Sequence, residues 1–217
     1  TFFEGSKPLG FPNGGYPAPQ GHYYCGIGAD EVFGRNIVEE HMKYCLNIGI
    51  MFEGINAEVM PGQWEFQIGA GDPISVSDDL WIARYLLYRT AEKYSINATL
   101  EPKPVRGDLN GAGAHTNFST KEMRKNYDAI ELAVDKLSKK HPEHIEIYGE
   151  DNHLRLTGKH ETCSIEQFRS GVSNRGASIR IPWHVSKERK GYIEDRRPAA
   201  NMDPYLVTRK IIETVCE

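Results

Sequence analysis

The sequence predicts an α+β fold with mainly antiparallel strands, and three observations carry that expectation. Apolar residues recur at helical spacing in several separated stretches, short segments between them alternate polar and apolar residues, and no linker or low-complexity run divides the 217 residues. No internal repeat is visible either, so one domain spanning residues 1–217 is expected. The first thirty residues hold Pro8, Pro12, Gly14, Gly15, Pro17, Pro19 and Gly21, turn chemistry that predicts an ordered coil laid over a scaffold. A short strand is expected at residues 22–28. Over residues 30–46, Val38, His41, Met42, Cys45 and Leu46 fall at i, i+3, i+4, i+7 and i+8, and Gly49 follows as a stop, which predicts a helix.

Further helices carry start signals. Ser77 before Asp78 and Asp79 predicts a helix to about residue 94. Ser119 with Glu122 three residues on has the form of a capping box and predicts a helix to about residue 140. Asp203 followed by Pro204 predicts the last helix, running through Ile211 and Val215. A shorter helix is expected at residues 164–171. Strands are expected at 52–60, 63–68, 115–119, 178–182 and 192–196 from their alternation.

Composition narrows the function. With 39% hydrophobic and 26% charged residues the chain can bury a sizeable core. Its net charge of −4 offers no counterion-release drive toward nucleic acid. Mean hydropathy is −0.54 and no window approaches the roughly 20 apolar residues of a membrane span, so a soluble protein is expected. Cys25, Cys45, Cys163 and Cys216 form no C-x-x-C pair and read as reduced, buried thiols in a cytoplasmic protein. The opening at Thr1, without Met or a signal-peptide plan, suggests the middle of something longer.

The polar faces of the expected strands hold the chemistry. Gln63, Glu65 and Gln67 alternate with Trp64, Phe66 and Ile68. His115, Asn117 and Ser119 share one face, as do Tyr192, Glu194 and Arg196, and Ser178 and Arg180 oppose Ile179 and Ile181. Solvated sheet faces are usually rich in Lys and Thr, whereas Glu, His, Asn and Arg are the set that holds metal ions and phosphates. Carboxylates with one imidazole and no thiolate favour Mg2+ or Mn2+, ions that usually accompany a nucleotide. Arg175, Arg180 and Arg196 suit planar contact with phosphate or carboxylate oxygens. Gly111-Ala112-Gly113 before His115 offers a close backbone approach to a substrate, or only a turn. Neither a complete Walker A sequence nor G-x-G-x-x-G is present.

The segments NAEVMPGQWEFQIG at residues 56–69, NGAGAHTNFST at 110–120, LTGKHE at 156–161, NRGASIRIP at 174–182 and EDRRP at 194–198 together resemble glutamine synthetase of the eukaryotic type, in order and over essentially the whole chain. The resemblance implies its catalytic domain: a mainly antiparallel, curved sheet forming a funnel-like face, backed by helices. It implies ligation of ammonia to L-glutamate with ATP through a γ-glutamyl phosphate, in a cytoplasmic homo-oligomer, the family's decamer of two pentameric rings, with no nucleic-acid or membrane partner.

By the same resemblance Glu58 and Glu65 are ligands of one metal, near glutamate and the transferred phosphoryl group, and His115 and Glu194 are ligands of the metal that accompanies ATP. Asn110 and Gly111 hold glutamate, and Arg155 and Arg196 reach its carboxylates or the phosphorylated intermediate. Arg175 and Arg180 face the phosphates. Asn117, Phe118, Ser119 and Tyr192 contact the nucleotide, with Glu65 and Arg175 also at the cofactor and substrate. Glu161 is the flap glutamate that closes the site and helps to bind and deprotonate ammonium.

Elementary chemistry asks for the same parts. A carboxylate attacking the γ-phosphorus of ATP needs positioned oxygens and neutralised charge, and the resulting acyl phosphate needs shelter from water. Two departures from the family stand out. A Glu-x-Glu strand and a smaller N-terminal β-grasp domain are expected before the segment that opens here, so the 217 residues alone are expected to turn over poorly. Asp108-Leu109 also stand where eukaryotic forms have Asn-Trp. A non-catalytic relative used as a structural module, and a γ-glutamyl ligase taking another amine, are the competing readings.

Overall fold

A computed structural model describes residues 1–217. The chain forms two compact units, Thr1–Leu100 with Pro104–Asn110, and Glu101–Lys103 with Gly111–Glu217. The secondary structure is mixed, with six α-helices and sheets in which every strand pair but one is antiparallel.

In the first unit, β1 (Phe2–Glu4), β2 (Lys7–Pro8) and β5 (Asn97–Ala98) make a small antiparallel sheet in the order β2-β1-β5. Helix α1 (Arg35–Asn47) precedes a hairpin of β3 (Phe52–Ala57) and β4 (Trp64–Ile68), and α2 (Pro73–Lys93) follows it. The expected alternation in β4 holds: Trp64, Phe66 and Ile68 pack on the apolar clusters built from α1 and α2, which include Ile37, Val38, Cys45, Ala83 and Leu87. Glu65 and Gln67 therefore take the other face.

The second unit contains β6 (Thr116–Phe118), α3 (Asp128–Lys139), α4 (His141–Ile145), a single 3-10 turn at Asn152–Leu154, β7 (Ser170–Val172), β8 (Ile179–Ile181), α5 (Trp183–Glu188), β9 (Ile193–Asp195) and α6 (Pro204–Cys216). Its four-stranded sheet runs β6-β9-β8-β7, and only β7 and β8 are parallel. Ile130, Ala133 and Leu137 of α3 bury against Ile179, Ile181 and Ile193 of the sheet. Full burial of each large aliphatic side chain contributes about 1.5–3 kcal/mol, so this layer is a main tie between helix and sheet.

Several boundaries differ from the sequence reading. Helix α1 starts at Arg35 and not near residue 30, because Gly34 sits in the left-handed region with φ of 89° and breaks the run. Helix α2 starts at Pro73, capped by Asp72, whose carboxylate accepts from the amides of Ile74 and Ser75. Ser77 lies inside this helix and donates to the Pro73 carbonyl instead of capping. Ser119 does not cap a helix either: its hydroxyl donates to the Gly191 carbonyl, Thr120 closes a turn, and α3 begins only at Asp128, where Asn126 accepts from the Ala129 amide.

No helix forms at residues 164–171, where Ser164 bridges Thr157 and Ser170 begins β7, since pairing to β8 satisfies that backbone better than an isolated turn. Residues 22–25 form turns and 26–28 are irregular, so no strand forms there. Of the thiols, Cys45 and Cys163 are buried but Cys25 and Cys216 are exposed, against the expectation that all four lie inside. No helix is long and apolar enough to cross a membrane.

Candidate active site

In the first unit, hairpin register sets Asn56 opposite Glu65, and Glu58, one residue beyond the end of β3, bonds through its amide to the Gln63 carbonyl at 2.9 Å. Glu58 and Glu65 come together by this pairing. Burial, then the negative charge of Glu65 and a hydrogen bond to it, push the Glu58 carboxyl up to about 7. Gln67 donates to Glu65 Oε1 at 2.7 Å and Asn56 to Glu58 Oε1 at 3.4 Å. In the same unit, Asn110 Nδ2 donates to Gln63 Oε1 at 2.9 Å, and its backbone amide donates to Gln20 Oε1 at 2.8 Å.

In the second unit, strand register sets Asn117, Glu194 and Arg180 abreast across β6, β9 and β8. Glu194 is the hub. Its Oε1 accepts from Arg196 Nη1 at 3.0 Å and lies 3.4 Å from His115 Nδ1, and its Oε2 is ion-paired with Arg180 Nε. Burial, followed by the charges of Arg196, Arg155 and Arg180, holds the His115 imidazole well below its usual range, so the ring is neutral near pH 7. Burial lowers the pKa of Arg196, against the pull of Glu194.

Glu161 lies in the loop closed by the Thr157–Ser164 bridge, and His160 and Glu161 both adopt left-handed backbone, with φ of 51° and 58°. Its carboxylate is 3.5 Å from Arg175 Nη1, and its carbonyl accepts from Arg196 Nη2 at 3.4 Å. Arg196 Nε also donates to the Arg175 carbonyl at 2.9 Å, so Arg196 ties the Arg175 turn and the Glu161 loop to the Glu194 hub. The Glu161–Arg175 pair is exposed and screened, worth at most about 1 kcal/mol, and so easily opened.

Arg155 spends Nε and Nη2 within the protein. It is buried, with Nη2 donating to the carbonyls of Arg196, Arg197 and Pro198 at 3.0, 2.7 and 3.0 Å and Nε donating to Asn152 Oδ1 at 3.1 Å. Gly111 and Gly113 make room for it: a Cβ on Gly111 would lie 2.4 Å from Arg155 Cγ and 2.5 Å from the Pro102 oxygen. The approach that these glycines allow is therefore to Arg155. Phe118 and Tyr192 pack against the α3 core, the Tyr192 ring 5.6 Å from His184.

Sequence reasoning missed the layer beneath Glu194. Asp195 and Arg197 point away from Glu194 and Arg196 into the interior, where they form a bidentate pair: Arg197 Nε to Oδ1 at 2.9 Å and Nη2 to Oδ2 at 2.6 Å. Tyr148 donates to Asp195 Oδ2 at 2.7 Å and accepts from His144 Nδ1, while His144 Nε2 accepts from Thr214. The signal was present in EDRRP, where charges at successive positions of an extended stretch must face opposite sides.

Cation binding can be tested against these donors. In neither unit do three His, Cys, Asp or Glu side chains gather closely enough to hold a metal ion alone. Two observations nevertheless fit a hard cation: Glu58 and Glu65 crowd like charges that a cation would relieve, and a nitrogen and an oxygen donor stand side by side where His115 Nδ1 lies 3.4 Å from Glu194 Oε1.

Comparison with known proteins follows the same line. A family described as glutamine synthetase, catalytic domain, matches residues 12–145. The chain is 62% identical to a glutamine synthetase of Streptomyces viridochromogenes over 218 residues, covering 100% of this chain and 64% of that protein. It is 60% identical to one of Eremothecium gossypii, covering 99% of this chain and 59% of the relative. It is 59% identical to glutamine synthetase root isozyme 1 of Zea mays, covering 96% and 59%. The chain thus spans at most 64% of the length of these relatives. With a matching family over most of its length and this identity throughout, the chain belongs to the glutamine synthetase family.

Proposed function

We propose that this chain serves the ATP-dependent ligation of ammonia to L-glutamate, giving L-glutamine, ADP and phosphate through a γ-glutamyl phosphate. The observation that carries the reading is the Glu194 hub, where one nearly buried carboxylate meets a neutral imidazole and two guanidinium groups on one sheet face. Neutral His115 has a lone pair to offer a cation, and Glu194 an oxygen; Glu58 and Glu65 are the corresponding pair in the first unit. A bound Mg2+ or Mn2+ would supply charge neutralisation for the transferred phosphoryl group.

In this reading Arg180 and Arg175 hold phosphate oxygens by planar donors, and Arg196, which bridges Glu194 to the Glu161 loop, holds the intermediate against that loop. Opening of the exposed Glu161–Arg175 pair lets the Glu161 carboxylate take a proton from ammonium and the Arg175 guanidinium meet phosphate. Asn110 and Gly111 bind glutamate, and Arg155 acts on it through the backbone it clamps. Asn117, Phe118, Ser119 and Tyr192 border the nucleotide. Family membership supports the wider reading as well: a catalytic domain over residues 1–217, a curved funnel-like sheet, a cytoplasmic homo-oligomer.

The test measures Mn2+ binding and glutamine formation from glutamate, ammonium and MgATP, in the wild type and in Glu194→Gln. The variant is expected to lose one class of Mn2+ sites and about 100-fold or more of turnover, exceeding the cost of disturbing a group that merely supports a ligand. Absence of both Mn2+ binding and glutamate-dependent ADP release from the wild type would overturn the reading. A faster reaction with another amine would move it to a different γ-glutamyl ligase.

A further inference from the structure

We infer that Asp195, Arg197 and Tyr148 form a positioning unit that sets the orientation of Glu194 and Arg196 and thereby the affinity of the cation site they serve, an inference that rests on the functional reading above. The residues that face the chemistry, 194 and 196, alternate with the two that face inward, 195 and 197. In extended backbone neighbouring side chains leave opposite faces, so any tilt at 195 or 197 is delivered to 194 and 196.

The inward side is over-determined. Asp195 accepts from the Arg197 amide at 3.1 Å as well as from both ends of the Arg197 fork and from Tyr148. The remaining Arg197 nitrogen, Nη1, donates to His141 Nδ1 at 3.1 Å, and the guanidinium lies over the Tyr148 and Phe168 rings. Asn152 donates to the Arg197 carbonyl at 2.8 Å, and the Tyr148 carbonyl accepts from the Ala199 amide at 2.8 Å. Together with the three carbonyls held by Arg155, this leaves the stretch after β9 no freedom to turn.

A scaffold needs none of this. Arg197 and Asp195 are each only 1% exposed, and an apolar pair of similar volume is commonly as stable as a buried ion pair, so its worth here lies in fixed geometry. Outer groups that orient metal ligands typically govern affinity by about 10- to 100-fold.

The experiment measures Mn2+ affinity by paramagnetic resonance, counting only the class of sites that Glu194→Gln removes, alongside thermal melting. Tyr148→Phe keeps the ring and deletes the hydroxyl between Asp195 and His144; Asp195→Asn removes the charge. Val185→Ala, fully buried in the core between α3 and the sheet, is the packing control. Tyr148→Phe is expected to weaken Mn2+ binding about 10-fold, whereas Val185→Ala lowers the melting temperature and leaves affinity unchanged. Should Asp195→Asn fail to fold, Tyr148→Phe decides alone. Unchanged affinity in Tyr148→Phe, or an equal loss in Val185→Ala, overturns the inference while leaving the functional reading standing. A wild type without a Glu194-dependent Mn2+ site overturns both.

Discussion

Acidification should destabilise the second unit through His144, and the effect can be worked out from its surroundings. The side chain is fully buried; burial first, then the Arg197 guanidinium, depress its pKa to about 3, while Asp195 and Glu143 pull weakly the other way and Lys210 adds to the depression. Because Tyr148 spends its proton on Asp195, His144 Nδ1–H donates to the phenol and Nε2 accepts from Thr214, so the folded ring is neutral and has no place for a second proton.

The sign follows from proton binding. The unfolded histidine titrates near its usual 6.5, so below that pH the unfolded chain binds more protons and stability falls as pH falls towards 3. With those two values the loss is about 2 kcal/mol at pH 5 and about 3 kcal/mol at pH 4. The assay is urea unfolding by circular dichroism from pH 7.5 to 4.5, comparing the wild type with His144→Gln. The variant starts less stable, and its curve should be flatter, the gap between the two closing by about 2 kcal/mol at pH 5. Parallel curves would show that the buried ring already carries a proton, or that it gains one without cost, and would refute the reasoning.

Three further outcomes are expected. Gly111→Ala places a methyl against Arg155 Cγ and the Pro102 oxygen, so it should cost about 1–3 kcal/mol and lower the melting temperature by several degrees. Asp72→Ala should cost about 1 kcal/mol by removing the α2 cap, whereas Ser77→Ala should change stability by a few tenths at most, a contrast read by denaturant midpoints. Leu137→Ala, emptying a fully buried position between α3 and the sheet, should cost about 2–5 kcal/mol, measured the same way.

The alternating segments were the most legible part of the fold. A strand with one buried face writes its period of two directly into the residues, so Trp64, Phe66 and Ile68, and Ile179 and Ile181, could be read as core without a structure. Where several start signals stood close together, the sequence reading took the wrong one. Asp72-Pro73 and Ser77 both announce a helix start, and the earlier one wins because Pro73 presets the first helical residue while Ser77 is left inside. At Ser119 the capping box was overruled by a bond to Gly191, 72 residues away.

The candidate site divides in the same way. Residue types and alternation determined by themselves that Glu194, Arg180, Asn117 and Glu65 present polar faces, since that depends only on neighbours along the chain. What the tertiary structure decided is which donors Glu194 meets, that Arg155 clamps the backbone of 196–198, and that Asp195 rests on Arg197, Tyr148 and His144. These contacts join residues 41 to 79 positions apart at their longest, as with Arg155 and Arg196 or His115 and Glu194, and no local propensity encodes such partners. They arise because a buried charge is tolerated only where the fold delivers its counter-charge, and delivery is a property of the packed chain as a whole.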